Sequence, residues 1–210
     1  MYPVDSGQPA AKPSAAATYA DLLATPPDTP FELVDGELYA MPGAAVKHAL
    51  AVTEIGMAVR YLFGAPTGGW LILAQVEVHL GRPDPRTLVL IPDVAGWRRE
   101  RLAVAPDTQG IDVVPDWVCE VLSPSNEYRA RGLKLRKYPG AGVPWVWLAN
   151  PRAQAVEVFK LDGQTYRSWQ VVESVETAEI APFESVVLNL RQWWISGDFP
   201  VVADLPAVAL

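Results

Sequence analysis

The chain has 210 residues, half of them hydrophobic, with eight tryptophans, one cysteine and a formal net charge of −7. That length suits a single domain burying roughly 70% of its unfolded surface, and the composition excludes a disordered or coiled-coil protein. The acidic balance argues against nonspecific nucleic-acid binding by the whole surface. The lone cysteine, Cys119, excludes an internal disulfide and suits a reducing compartment; in its apolar run it reads as a small buried hydrophobe.

Residues 1–17 are rich in Ala, Pro and Ser, without a basic start or an apolar core, and read as a flexible tail rather than a signal peptide. No apolar run approaches the ~20 residues of a membrane span, so a cytoplasmic protein without membrane contact is expected. Residues 18–23 read as a short helix halted by Pro26-Pro27. Phe31 to Met41 holds apolar runs around Asp35-Gly36, a strong hairpin signal. Between Val46 and Phe63, Leu50, Ile55, Val59 and Leu62 fall near helical spacing.

Trp70 to Leu80 alternates and reads as one half-buried strand, and Leu88 to Trp97 as the next, carrying Asp93. Trp117 to Leu122 is continuously apolar except at Glu120, as expected of a central strand covered on both faces. Ser125 or Asn126 can cap a basic helix that ends at Pro139-Gly140. Val143 to Ala149 is a further strand, a second hairpin spans Val156 to Val172, and Ser185 to Leu190 is the last strand. The apolar end from Phe199 to Leu210 reads as a tail or a partner contact. The pattern predicts one α/β domain over residues 18–195, a mixed sheet flanked by helices with extra β-hairpins, and a C-terminal tail over 196–210.

Charge is distributed unevenly. From Tyr128 to Val156 there are six basic residues (Arg129, Arg131, Lys134, Arg136, Lys137 and Arg152) and no acid, which leaves 11 basic and 24 acidic residues elsewhere. A second basic cluster, Arg98, Arg99 and Arg101, follows Asp93. Both are expected to set positive charge beside the acids, where a phosphate backbone needs it.

Asp93 and Glu120 stand 27 positions apart, the separation of two strands joined by a loop. Adjacent strands would bring both acids to one end of the sheet, where two carboxylates ~4 Å apart repel by about 4 kcal/mol at an effective dielectric of ~20. A hard cation answers that repulsion and can neutralise a phosphodiester, activate water and assist the leaving oxygen. Magnesium keeps several waters, so one or two carboxylates suffice as protein ligands. Pro92-Asp93 also reads as an ordinary turn. An acid inside Trp117–Leu122 is costly unless paired with an arginine or bound to a cation.

The segment Phe31-Glu32-Leu33-Val34-Asp35-Gly36-Glu37, with Pro92-Asp93-Val94, Glu120-Val121-Leu122-Ser123-Pro124-Ser125, Lys134, Tyr138, Ala141-Gly142-Val143-Pro144 and Trp147-Leu148, closely resembles the Uma-type restriction endonuclease family of the PD-(D/E)XK nuclease superfamily. The resemblance covers about Tyr19 to Leu190. It implies a restriction-endonuclease-like fold, a Mg2+ (or Mn2+) cofactor and DNA as substrate class. It further implies Asp93 and Glu120 as metal-binding acids and Lys134 as the catalytic lysine, displaced from the superfamily's usual place two residues after the second acid, where Leu122 stands. The family commonly has an aspartate four residues before that lysine; this chain has Ala130.

His48, Glu77 and Glu32 receive milder expectations: a helix-terminal or packing role ahead of catalysis for His48, an exposed acid ahead of a third metal ligand for Glu77, and for Glu32 hairpin pairing as good an explanation as its match to the family. Trp145, Trp147, Trp193 and Trp194 read as core or subunit interface rather than base-stacking platforms. Two rivals remain beside the nuclease: a catalytically weakened nucleic-acid-binding relative, motivated by Ala130, and an oligomeric assembly protein using the Trp-rich C-terminal half. A homodimer or higher homo-oligomer is expected.

Overall fold

The computed structural model describes residues 16–41, 43–64 and 68–194. The expected C-terminal tail lies outside them, as does the expected N-terminal tail except at Ala16 and Ala17. Ala17 is already tied in, its N–H donating to the Gly36 carbonyl at 2.7 Å.

The hairpin of β1 (Phe31–Val34) and β2 (Glu37–Ala40) turns at Asp35 and Gly36, both left-handed at φ 52° and 73°, which Asp-Gly accepts at low cost. α1 (Tyr19–Leu23) is opened by a Thr18–Asp21 capping box and packs on β1. α2 (Val46–Phe63) buries His48, Ala51, Val52, Ile55, Val59 and Phe63. The buried stripe is therefore shifted from the expected one, leaving Leu50 half-buried and Leu62 exposed.

Two strands read as continuous are each broken between sheets. Trp70 to Leu80 divides into β3 (Trp70–Ala74) and β4 (Glu77–His79), kinked where Gln75 takes φ 51°. Leu88 to Trp97 divides into β5 (Val89–Leu90) and β6 (Val94–Arg98), leaving Pro92-Asp93 in the crossing. The two crossings touch, since the Gln75 N–H donates to the Asp93 carbonyl at 3.1 Å. An apolar pattern alone does not say which sheet a residue joins, so it could not reveal these crossings, although Pro92-Asp93 marks the second as a turn.

β7 (Gly110–Ile111) completes one sheet of order β2-β1-β5-β4-β7. The second runs β11-β10-β9-β8-β6-β3, where β8 is Trp117–Val121, β9 Trp145–Asn150, β10 Ala155–Asp162 and β11 Thr165–Glu173. β8 pairs antiparallel with β6 and parallel with β9. Its five residues are all buried because both faces are covered. One face meets α2 and the C-terminal Ile180, Phe183, Trp193 and Trp194; the other meets Leu90, Val78 and Tyr138. The expected last strand shrinks to β13 (Leu188–Asn189), paired with β12 (Thr177–Ala178). Trp147, Trp193 and Trp194 are core, while Trp145 lies at a half-buried edge against Trp169. Among the described residues no helix is long and apolar enough to cross a membrane.

The basic segment begins as a π-helix, Tyr128–Lys134, and continues as α3 (Leu135–Ala141). It runs past Pro139 and ends where left-handed Gly142 returns its N–H to Tyr138 and Pro139. Neither expected cap acts as such: the Asn126 carboxamide accepts from the Ser123 N–H and donates to the Val121 carbonyl, bracing the end of β8.

A charge cluster around buried His79 fastens α1 to the first sheet. His79 lies between Glu77 (Nε2–Oε1 2.7 Å) and Asp112 (Nδ1–Oδ1 2.5 Å), and the Tyr19 hydroxyl donates to Glu77. Gly110 is required here, because a Cβ would fall 2.3 Å from the His79 ring. Burial disfavours the His79 imidazolium, but the two carboxylates outweigh it and raise the pKa above 6.5; the same contacts hold Glu77 below 4.5 against its burial. The His79 contribution is thus complete below pH 6.5 and lost as pH rises through the folded value, while that of Glu77 is lost in acid. Urea titrations of wild type and His79→Gln should differ most between pH 4.5 and 6.5 and converge as pH climbs.

Candidate active site

The β6–β8 register sets Val94 against Cys119, so one step further Asp93 stands opposite Glu120. Directly opposed antiparallel residues project from the same face, with Cβ atoms about 5 Å apart. Both acids are buried and line one cavity of about 340 Å³ with His48, Gln75, Arg129, Ala130 and Lys134. The expected convergence of Asp93, Glu120 and Lys134 is present.

Asp93 accepts from the Val121 N–H at 2.7 Å and faces His48 Nε2 at 3.2 Å. Glu120 lies 2.9 Å from the Lys134 ammonium and accepts a hydrogen bond from the Tyr138 hydroxyl. Lys134 is itself buried, donating to the Ile91 carbonyl at 2.9 Å and lying 2.8 Å from Glu32. Glu32, fully buried in β1, also accepts from the Ile91 N–H at 2.8 Å and pairs with Arg129 at 2.5 Å.

Glu32 is therefore a member of the site, where hairpin pairing explained it equally well from sequence. The signal was available: an acid inside Phe31-Glu32-Leu33-Val34 is as costly as Glu120 within its own apolar run. His48 does open α2 as expected, but its ring also meets Asp93 rather than merely packing. Glu77 sits in the first sheet with His79, apart from this cavity.

The basic clusters carry less free charge than their composition promised. β6 leads Arg98 away from Asp93 by five residues, about 17 Å of strand. Arg98 stacks on Trp70, Arg99 donates to the Gly64 and Ala103 carbonyls, and Arg101 pairs with Asp116. On the helix, Arg129 is held by Glu32, Arg131 by Glu127 and Glu157, and Lys137 by Asp35. The expected positive charge beside the acids thus reduces to Lys134 and Arg129.

Three carboxylates, Glu32, Asp93 and Glu120, face those two cations. Burial raises the Glu120 pKa; Lys134 draws it down, Asp93 and Glu32 push it back up, and it settles at about 7. Burial alone would lower the Lys134 pKa, but Glu120, Glu32 and Asp93 outweigh it and hold the ammonium charged. His48 is likewise raised, with Asp93 overcoming its burial.

A profile of the Uma2 family, described as "Putative restriction endonuclease", matches residues 16–191. The chain belongs to this family. A protein from Anabaena variabilis, whose crystal structure is titled that of a putative nuclease belonging to DUF820, shares the fold. It aligns with a TM-score of 0.68 at 17% identity, over 84% of this chain and 96% of that one. A search of curated proteins found no match. The fold is thus the α/β nuclease fold that the sequence resemblance implied, and the family is one of restriction-endonuclease-like proteins.

Removing one partner from a buried ion network leaves an uncompensated charge and costs about 3–5 kcal/mol. Lys134→Met should therefore destabilise the protein by about 3 kcal/mol in urea unfolding, while Lys137→Ala, at the exposed Asp35 pair, should cost below about 1 kcal/mol.

Proposed function

We propose that this protein is a metal-dependent endonuclease that hydrolyses phosphodiester bonds of DNA, with Asp93 and Glu120 as metal ligands and Lys134 as the catalytic cation. The reading is carried by the convergence of two buried carboxylates and a buried lysine on one cavity, in a chain of the Uma2 family.

The residues fit a divalent ion on chemical grounds. Asp93 and Glu120 offer hard oxygen donors on the wall of one cavity. Among the described residues no group of three or more His, Cys, Asp or Glu side chains is arranged to enclose a metal, so an ion here would rest on two carboxylates. Mg2+ tolerates that because it keeps water in its remaining positions. Bound there, it would supply charge neutralisation and a more acidic water.

The chain's own groups do the rest. The Asn126 brace and the Val121 N–H fix the end of β8 and the Asp93 carboxylate. The Lys134 ammonium presents a fixed positive charge at the cavity, where phosphate charge increases during attack. Arg129 supplies a second cation to the wall. Ala130 also lines this wall, so a carboxylate at that position would have faced the cavity. Its absence favours a slow enzyme and supports a second reading, nucleic-acid binding without turnover.

Plasmid DNA with Mg2+ or Mn2+ should be nicked by wild type, and Asp93→Ala or Glu120→Ala should reduce the rate by at least about 100-fold. Absence of cleavage of any nucleic acid, with binding retained, favours the second reading. A ligand must release its proton to bind a cation, so Mn2+ affinity measured by calorimetry should rise as pH passes through about 7. An affinity flat from pH 6 to 8 contradicts Glu120 as ligand.

A further inference from the structure

Lys134 presents an unusual stoichiometry. An ammonium has three N–H groups, and three protein partners surround this one: the Ile91 carbonyl at 2.9 Å, Glu32 Oε1 at 2.8 Å and Glu120 Oε2 at 2.9 Å. Two come from the same corner of the fold, since Glu32 Oε1 also accepts from the Ile91 N–H at 2.8 Å. Only Glu120 belongs to the acid pair. Glu32 is in turn fixed by Arg129, whose guanidinium also donates to the Ala40 carbonyl of the hairpin.

We infer that Glu32 is a positioning residue, which with the Ile91 carbonyl forms a seat that holds the Lys134 ammonium in the cavity independently of Glu120. The inference deepens the nuclease reading and rests on it for its kinetic consequence. A Glu120 carboxylate that turns an oxygen toward a cation loosens its hold on the ammonium, which now contacts both of its oxygens. A lysine held by Glu120 alone would be free to swing on its four-carbon stem once that carboxylate turned away. With the seat in place, two contacts persist, and the N–H now aimed at Glu120 faces the cavity. Full burial of Glu32 and its two contacts to one peptide unit and one ammonium fit a fixed seat better than hairpin pairing, which needs no buried acid.

The test follows the ammonium directly. The chain has five lysines, so a slowly exchanging ammonium resonance of Lys134 is assignable by nitrogen-15 NMR from its loss in Lys134→Met. It should be present in wild type with and without Mg2+, and be lost in Glu32→Gln, which keeps the shape but removes the charge. Glu32→Asp keeps the charge but withdraws it from the ammonium; it should lose the resonance too, and serves if Glu32→Gln does not fold. An undisturbed resonance in whichever variant folds overturns the inference.

Activity gives the second arm. Glu32→Gln should lower kcat by about ten-fold or more with KM nearly unchanged, and should cost nothing further in a Lys134→Met background. Additive losses would mean that Glu32 acts by another route, and would also overturn it. If wild type cleaves no nucleic acid with Mg2+ or Mn2+, the nuclease reading falls by itself and the resonance alone decides the seat.

Discussion

A buried salt-linked knot, Arg129–Glu32–Lys134–Glu120 with the Asp93–His48 pair beside it, joins separate parts of this chain. β1 contributes Glu32, the crossing before β6 contributes Asp93, β8 contributes Glu120, and the π-helix contributes Arg129 and Lys134. None of these charges would be tolerated alone in so buried a place. Each is tolerated because the others are there, and so the hairpin, both sheets and the helix must assemble together for any of them to be satisfied. Such a network is weak evidence for high stability, since its desolvation cost offsets much of the attraction between its charges.

The backbone devices around the knot all serve its geometry. The kink at Gln75 and the crossing at Pro92-Asp93 move the chain from one sheet to the other at the same level, exposing the mouth of the cavity at a corner rather than on a flat sheet face. The π-helix widens the turn that carries Ala130 and Lys134, an irregularity often found at functional sites. Tyr138, one turn further in α3, closes the far side of Glu120 with its hydroxyl. The result is a buried carboxylate pair on the wall of one cavity, with Lys134 and Arg129 on the same wall.

This arrangement revises what the charge pattern meant. A run of five cations in nine residues reads as a surface for a polyanion, yet four are bound to acids of the same chain. They fasten the helix to β1, β10 and the Asp35 turn, and the chain's acidic excess is what partners them. Little of this cluster is therefore left as a broad basic face.

The local features were legible along the chain: the Asp-Gly hairpin, the long helix, the central strand around Glu120, and the acids and lysine at which the chain resembles its family. Each of these rests on a period, a turn residue or a short motif, and those survive in one dimension. The sequence also announced that Glu120 needed a partner, because a charge within an apolar run is costly wherever that run ends up. Which partner it found depended on how distant segments pack. Glu32 lies 88 positions from Glu120, and nothing in local spacing ties it to Lys134 rather than to its own hairpin. The assignment of the two split runs to different sheets was equally invisible, since an apolar pattern records that a residue is buried and not which neighbour does the burying.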